Sequence, residues 1–372
     1  MATSSKRGTR SVPVRRVRRP NRDVADGSES PRPFSDLAKT VYVFGAGASA
    51  PAASSPVVTS NLLRLALEKP PRRTPTGVLT AVRRLLEVFG DFRTPPTIDD
   101  VLDVLEYAVH RRMSLSPCHT VTKLVDARAS LLRLTYDFIH EQLHYLTGGE
   151  NPYSALVSRW SGSTPLAVVT LNWDCLLEKA FLGYHKTSSP TSIDYGVPFA
   201  TYDGPIQKAD LGALTVLKPH GSLSWAYCAF CGYSVSFIGT LLEPTNGEWM
   251  CSQCNRHTLE PVLIPPMSVR DSHHPLMTNV WSRVEAAVRI CRRLVFVGYS
   301  LPSQDVDVRV HLMRALAQRG ESTLSVEVVN LARNREARTL ERTRYLSFFN
   351  KRGARFSWHH EGFHSWLEGV AR

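Results

Sequence analysis

The chain has 372 residues, 43% of them hydrophobic and 21% charged, and a formal net charge of +12. That length and balance suit one large core, or one core with a small satellite, and exclude a wholly disordered or fibrous protein. The excess charge is uneven, because Lys6, Arg7, Arg10, Arg15, Arg16, Arg18, Arg19 and Arg22 all precede the first acid, Asp23, which leaves +4 for everything after residue 22.

A basic patch on a folded face would indicate nucleic-acid binding. Here the charge sits in a Pro/Arg/Ser-rich stretch with too few apolar residues to offset the entropy of ordering it. Residues 1–35 therefore read as a disordered basic arm ending at Pro31-Arg32-Pro33, with contact to nucleic acid or an acidic partner left open. No run approaches the ~20 apolar residues of a spanning helix, and the N-terminus lacks an apolar signal core. The reading is a cytoplasmic protein with no membrane partner.

The first element is the strand Thr40–Phe44, which runs into Gly45-Ala46-Gly47-Ala48-Ser49-Ala50. That turn has the G-x-G-x-x-A form of a dinucleotide loop, in which glycines let the backbone approach a pyrophosphate at a helix start. By itself it is equally a plain tight turn. The acid that would hold a ribose about 20 residues further on is missing, because the chain is helical around Leu62–Leu67.

Residues 57–150 form a helical insertion on periodicity. Val78, Val82, Leu85, Leu86 and Phe89 keep helical spacing, as do Ile98, Val101, Leu102 and Leu105, with Thr97 and Asp100 as a capping pair. Leu124, Leu131, Leu134, Phe138 and Ile139 predict a third helix from Val121 to Leu146, and the segment Pro70–Pro75 is a loop.

After Gly148 the pattern changes to short buried strands at Leu166–Leu171, Leu214–Leu217, Leu294–Val297 and Ser325–Leu331. Their continuous apolar runs suit a parallel sheet covered on both faces. Helices are predicted at 276–291 and 305–318, then a strand Arg355–Trp358 and a short helix near Trp366. The alternation gives an α/β, doubly wound parallel sheet of Rossmann-like type.

Polar residues at the carboxyl ends of such strands face the ligand crevice. Thr170-Leu171-Asn172-Trp173-Asp174 and Lys218-Pro219-His220-Gly221-Ser222 both occupy that position. Singly, Asn172 could satisfy a loop backbone and His220 could cap a turn. Together they place in one crevice an asparagine that can position water or a hydroxyl and a histidine that can take a proton near neutral pH.

Seven cysteines, an odd number without a secretion signal, argue against a disulfide framework. Cys228-x-x-Cys231 and Cys251-x-x-Cys254 have the spacing of a closed, structural four-thiolate zinc site, placing a zinc-ribbon module at 225–260. His257 is a minor alternative ligand. In Gly298-Tyr-Ser-Leu-Pro-Ser-Gln-Asp305, Ser303 or Asp305 is read as the cap of the following helix, and Arg333–Arg344 as a solvated helix face.

Taken in order, Gly45–Ser49, Asn172-Trp173-Asp174, His220-Gly221, Gly298-Tyr299-Ser300 and Val328-Val329-Asn330 resemble the SIR2-like family, the wider group that includes sirtuins. The resemblance covers roughly residues 40–335 and makes 36–372 one SIR2-like domain. It implies that Gly45, Ala46 and Ser49 contact the phosphates and ribose of NAD. Asn172 and His220 would flank the nicotinamide ribose, with Asp174 near the nicotinamide amide. Ser300 and Asn330 would hold the adenosine end, and Gly47 and Gly298 complete the cofactor-binding set. Sirtuins also carry a four-cysteine zinc module just after the His-Gly stretch, matching the position of Cys228, Cys231, Cys251 and Cys254.

Two departures set the chain apart from protein-deacylating sirtuins. Ser54–Thr59 stands where they carry Gly-Ile-Pro-Asp-Phe-Arg. Leu263–Arg270 replaces their peptide-binding Val-x-Phe-Gly-Glu strand, and Pro265 and Pro266 remove two backbone donors there. The Gly-Tyr-Ser-Leu-Pro-x-x-Asp run is closer to bacterial defence proteins. The sequence therefore reads as an NAD glycohydrolase with NAD as substrate, structural zinc, and a homo-oligomer or an activating protein as partner. The alternatives are an NAD-dependent protein deacylase and a non-catalytic sensor of NAD or ADP-ribose.

Overall fold

The computed structural model describes residues 37–50, 59–90, 96–144, 151–160, 163–187, 192–200, 206–237, 250–256, 259–264, 274–320, 323–332, 334–349 and 353–369. The basic arm, residues 54–58, His257 and residues 265–270 with their two prolines lie outside the described residues, as do residues 145–150 and Arg333.

Strand β1 (Thr40–Phe44) leads into one helical turn, α1 (Ala46–Ser49), and then helices α2 (Thr59–Glu68), α3 (Thr76–Leu86), α4 (Ile98–His110), α5 (Val121–His144) and the short α6 (Ser154–Ser158). Strand β2 (Ala167–Thr170) precedes α7 (Leu176–His185). Short strands β3 (Ile193–Asp194), β4 (Phe199–Ala200) and β5 (Ile206–Gln207) come next, then β6 (Leu214–Leu217), β7 (Gly221–Tyr227), β8 (Ser234–Ser236) and β9 (Glu260–Leu263). The chain continues through α8 (Pro275–Ile290), β10 (Arg293–Val297), α9 (Val306–Ala317), β11 (Ser325–Val329), α10 (Arg335–Phe349), β12 (Arg355–His359) and α11 (Phe363–Gly369).

Seven strands pair in the order β12-β11-β10-β1-β2-β6-β3, every pair parallel. The apolar runs explain this arrangement. All five residues of β1 and of β10 are buried, as strands covered on both faces require. The order reverses beside β1, where later strands β10, β11 and β12 add on one side and β2 and β6 on the other. That switch point opens a crevice beyond the carboxyl ends.

Helices α2 to α5 close a second apolar cluster containing Leu63, Leu85, Leu102, Leu105 and Leu131, separate from the sheet's cluster; Ile139 packs against both. The predicted capping box is present: Asp100 N–H donates to Thr97 Oγ1 at 3.1 Å, and Thr97 N–H to Asp100 Oδ2 at 3.1 Å.

A second sheet, β5-β4-β8-β7-β9, was not anticipated. Its strand β7 follows directly on His220. Gly221 begins β7 at φ +79°, where a Cβ would stand 2.0 Å from the Val262 carbonyl oxygen, so only glycine lets β9 pass this close. The cysteine pairs flank this sheet. No helix among the described residues is long and apolar enough to cross a membrane.

Candidate active site

The strand register brings four of the sequence motifs level. Phe44, the last residue of β1, pairs with Val297 of β10 and Thr170 of β2, and Val297 pairs with Val329 of β11. Leu217 of β6 pairs with Val169. Gly45, Gly298, Asn172 and Asn330 therefore leave neighbouring strands at one level, and His220 leaves the strand beside β2.

Asn172 joins its loop to the glycine turn. Its Nδ2 donates to the Gly45 carbonyl at 3.0 Å and lies 3.0 Å from Ser49 Oγ and 3.4 Å from the Tyr153 hydroxyl. A carbonyl only accepts, so the Gly45 contact fixes which end of the amide is nitrogen. The amide donors are committed to the turn, leaving Oδ1 as the functional end. Tyr153 and Ser49 are 3.0 Å apart, and burial, reinforced by Asp174, holds the Tyr153 phenol well above its ordinary range, so it stays neutral.

The loops carrying Asn172 and His220 are zipped together through Trp173. Its indole N–H donates to the His220 carbonyl at 2.8 Å, and its own carbonyl accepts from Leu223 N–H at 2.8 Å. The His220 imidazole is buried, with Nε2 3.6 Å from Asp305 Oδ1. Asp305 holds the N-cap position of α9 but makes no side-chain capping bond, which corrects the capping role expected of it. Its Oδ2 accepts instead from the Tyr299 hydroxyl at 2.9 Å. Burial first, and then the neighbouring Asp305 carboxylate, raise the Tyr299 phenol well above its ordinary range and keep it a donor.

Asp174 sits differently from Asn172. Its Oδ1 accepts from Leu176 N–H at 3.0 Å, closing the turn that starts α7, and it remains partly exposed. Its backbone carbonyl accepts from the fully buried Lys218 ammonium, which also bonds Glu178. Burial opposes that charge, but Glu178, with Cys175 and Asp174, outweighs it and raises the Lys218 pKa.

On the other side of the switch point, Gly47 N–H donates to the Gly298 carbonyl at 2.9 Å. Gly298 has φ +64°, and a Cβ there would fall 2.0 Å from Ala48 N. The glycine is thus required by the contact between the two turns. Ser300 is exposed, Ala46 partly so and Gly47 fully, leaving the turn's outer edge open. Asn330 Nδ2 donates to the Tyr299 carbonyl at 2.9 Å and to Glu341, and Tyr345 donates to the same carbonyl at 2.6 Å. Leu301 lies at φ 50° and is completely buried, an uncommon backbone for a branched residue.

The structure therefore gathers Gly45, Ser49 and Asn172 into one hydrogen-bonded group, docks Gly298 on Gly47, and sets His220 against Asp305. Tyr153, Tyr299, Lys218, Glu178 and Glu341 were not singled out from the sequence. Lys218 and Tyr299 lie inside quoted motifs; Tyr153 carries no local signal at all.

Away from the crevice, the sulfurs of Cys228, Cys231, Cys251 and Cys254 lie within 4.8 Å of one another. Cys228 and Cys254 are 3.8 Å apart and Cys231 and Cys251 3.6 Å. Four ligands at the usual Zn–S length span tetrahedral edges of about 3.8 Å, whereas a disulfide needs about 2.05 Å. The donor set fits zinc. Each pair sits on a tight turn, closed by Gly232 N–H to Cys228 O and Asn255 N–H to Cys251 O.

The SIR2-like domain family matches residues 166–356, just over half of the chain. Sir2Tm bound to a propionylated peptide is similar at 12% identity, with 89% of this chain and 91% of that one covered and a TM-score of 0.42. A Sir2 complex with a p53 peptide and NAD+ is similar at 13% identity, over 91% and 95%, with a TM-score of 0.42. A structure described as a basis for the mechanism and regulation of Sir2 enzymes gives 14%, 90%, 92% and 0.43. No curated protein matches the chain. The chain belongs to the SIR2-like family, a family of NAD-binding proteins, on the strength of the domain match.

Proposed function

We propose that the protein is an NAD glycohydrolase, cleaving NAD with water to nicotinamide and ADP-ribose. The observation that carries the reading is the fixed amide of Asn172, bonded through Nδ2 to Gly45 and Ser49 at the glycine turn. With its donors committed, Oδ1 accepts a hydrogen bond from water or a ribose hydroxyl and orients that oxygen toward the anomeric carbon. The bond between C1′ and the nicotinamide nitrogen breaks, its electrons leave with nicotinamide, and the water oxygen bonds to C1′. His220 takes the released proton as general base.

Gly45, Ala46, Gly47 and Ser49, with Gly298, Ser300 and Asn330, are proposed to hold the rest of NAD, and Asp174 to lie near its amide. Cys228, Cys231, Cys251 and Cys254 would hold a structural zinc. With no open coordination position, that metal would fold the module rather than activate water. In the same proposal, residues 1–35 are an arm and 36–372 one SIR2-like domain, with 57–150 as its helical insertion and 225–260 as its zinc module.

The test is mass spectrometry of NAD incubated with the full chain, alone, with candidate activators, and with an acylated peptide. Release of nicotinamide and ADP-ribose is expected, falling to background in Asn172→Ala and His220→Ala. Consumption of NAD only alongside the acylated peptide would make the protein a deacylase. Tight NAD binding without product under every condition would make it a sensor.

A further inference from the structure

An aspartate at a helix N-cap ordinarily accepts from the first free backbone N–H groups. Asp305 occupies that position on the twelve-residue helix α9 and forgoes the bond. Its carboxylate is instead buried, taking the Tyr299 hydroxyl on Oδ2 and facing His220 Nε2 with Oδ1. A buried carboxylate is costly unless neighbouring groups compensate it; here the Tyr299 hydroxyl, six residues away, bonds one oxygen, and the other is turned toward His220 on a separate loop.

We propose that Asp305 is the positioning residue of His220. Its Oδ1, which stands 3.6 Å from Nε2 and outside hydrogen-bond distance without substrate, closes on the Nε2 proton when NAD binds, so that Nδ1 is the nitrogen that receives the proton from the attacking oxygen, and Tyr299 fixes the carboxylate. The inference rests on the reading of His220 as the base in NAD cleavage. After proton transfer the ring carries a proton on each nitrogen, and the ionised Asp305 offsets the positive charge without being protonated itself. The arrangement is that of a base oriented by a third group.

From β6, Lys218 is bonded to Glu178 of α7 and to the Asp174 carbonyl. Tyr299, after β10, stays neutral. Among the described residues, Asp305 makes the ion-pair contact recorded for the His220 ring. Glu at this position would keep the charge but lengthen the arm, while Asn would keep the shape and remove the charge.

Ring-nitrogen NMR of the 15N-labelled full chain tests this directly, with the His220 signal identified by its loss in His220→Ala. The neutral ring is expected to carry its proton on Nε2, and Asp305→Asn to move that proton to Nδ1 in part of the population, since an amide can donate to Nε2 where a carboxylate only accepts. A proton on Nδ1 in the wild-type ring would overturn the inference, whatever the folding of the Asp305 variants. So would an unchanged tautomer in a folded Asp305→Asn. In turnover, Asp305→Asn should reduce kcat on the order of 10- to 100-fold with NAD affinity unchanged, and Asp305→Glu should restore part of it. Full activity in Asp305→Asn would also overturn it. The two readings fail separately. A correct tautomer, changed in Asp305→Asn, in a chain that never cleaves NAD would sink the hydrolase alone, and an active enzyme with the wrong tautomer would sink the relay alone.

Discussion

Lys218 Nζ lies 2.9 Å from Glu178 Oε1, with both side chains sealed from solvent, and this pair ties the strand leading to His220 to the helix that follows Asn172. The same ammonium bonds the Asp174 carbonyl. Removing one partner leaves the other charged and buried. Lys218→Met is expected to cost about 3–5 kcal/mol, and Lys218→Met with Glu178→Leu less than the sum of the two single changes. Chemical denaturation of the three variants measures both.

Gly298→Ala tests the docking of the two turns. The added methyl would meet Ala48 N at 2.0 Å and Gly47 C at 2.4 Å, backbone atoms that cannot rotate away. A loss of about 1–3 kcal/mol and a marked loss of NAD binding are expected. Gly183→Ala is the control, since the interior of α7 has open space there and alanine favours a helix. It should be neutral or slightly stabilising. Calorimetric melting and NAD titration read both variants.

For the cysteine cluster, Cys251→Ser should abolish a stoichiometry of about one zinc per chain and lower the melting temperature, and chelation of the wild-type protein should do the same. Elemental mass spectrometry beside a melting curve separates metal loss from simple misfolding. Retention of the metal in Cys251→Ser would show that the thiol is not a ligand.

Stability should depend on pH through a buried group on β11 and β12. Burial disfavours the Glu327 charge, but His359 and Arg293 outweigh it and hold its pKa below the ordinary 4.5; burial likewise works against His359, yet Glu327 at 3.1 Å, with Glu361, raises it above 6.5. The lowered acid contributes stability above 4.5 that is lost as pH falls through its folded value, and the raised histidine contributes stability below 6.5 that is lost as pH rises through its own. Both contributions are therefore complete between about pH 4.5 and 6.5. The melting temperature of the wild type, relative to His359→Gln, should fall as pH is raised above that window. A difference that stays constant with pH would refute the coupling.

Much of this site was legible because its signals are local. The five parallel strands β1, β2, β6, β10 and β11 are nearly continuous apolar runs, broken in β11 by Glu327, and Gly45, Gly298, Asn172, His220 and Asn330 come shortly after their ends. The capping pair at Thr97 and Asp100 likewise needs only neighbours in sequence. The second sheet was hidden because β7 reads as a turn: Ser222 and Ser224 are wholly buried, bonded to each other at 3.0 Å, and break the apolar pattern. Asp305 was misread for a related reason. The N-cap position looks the same in sequence whether its carboxylate bonds the helix's own N–H groups or turns inward, and here Oδ2 accepts from the Tyr299 hydroxyl instead. Tyr153 reaches Ser49 over 104 residues of chain, a contact no local rule contains.

The separate apolar cluster of α2 to α5 has a consequence for motion. Its amides and those of the parallel sheet answer to different opening events, because each set loses its own burial when it comes apart. Deuterium uptake should therefore divide the molecule into two populations meeting along α5, where Tyr136 belongs to the sheet's cluster and Ile139 packs against both, with the other helices able to loosen while the sheet beneath the glycine turn stays shut.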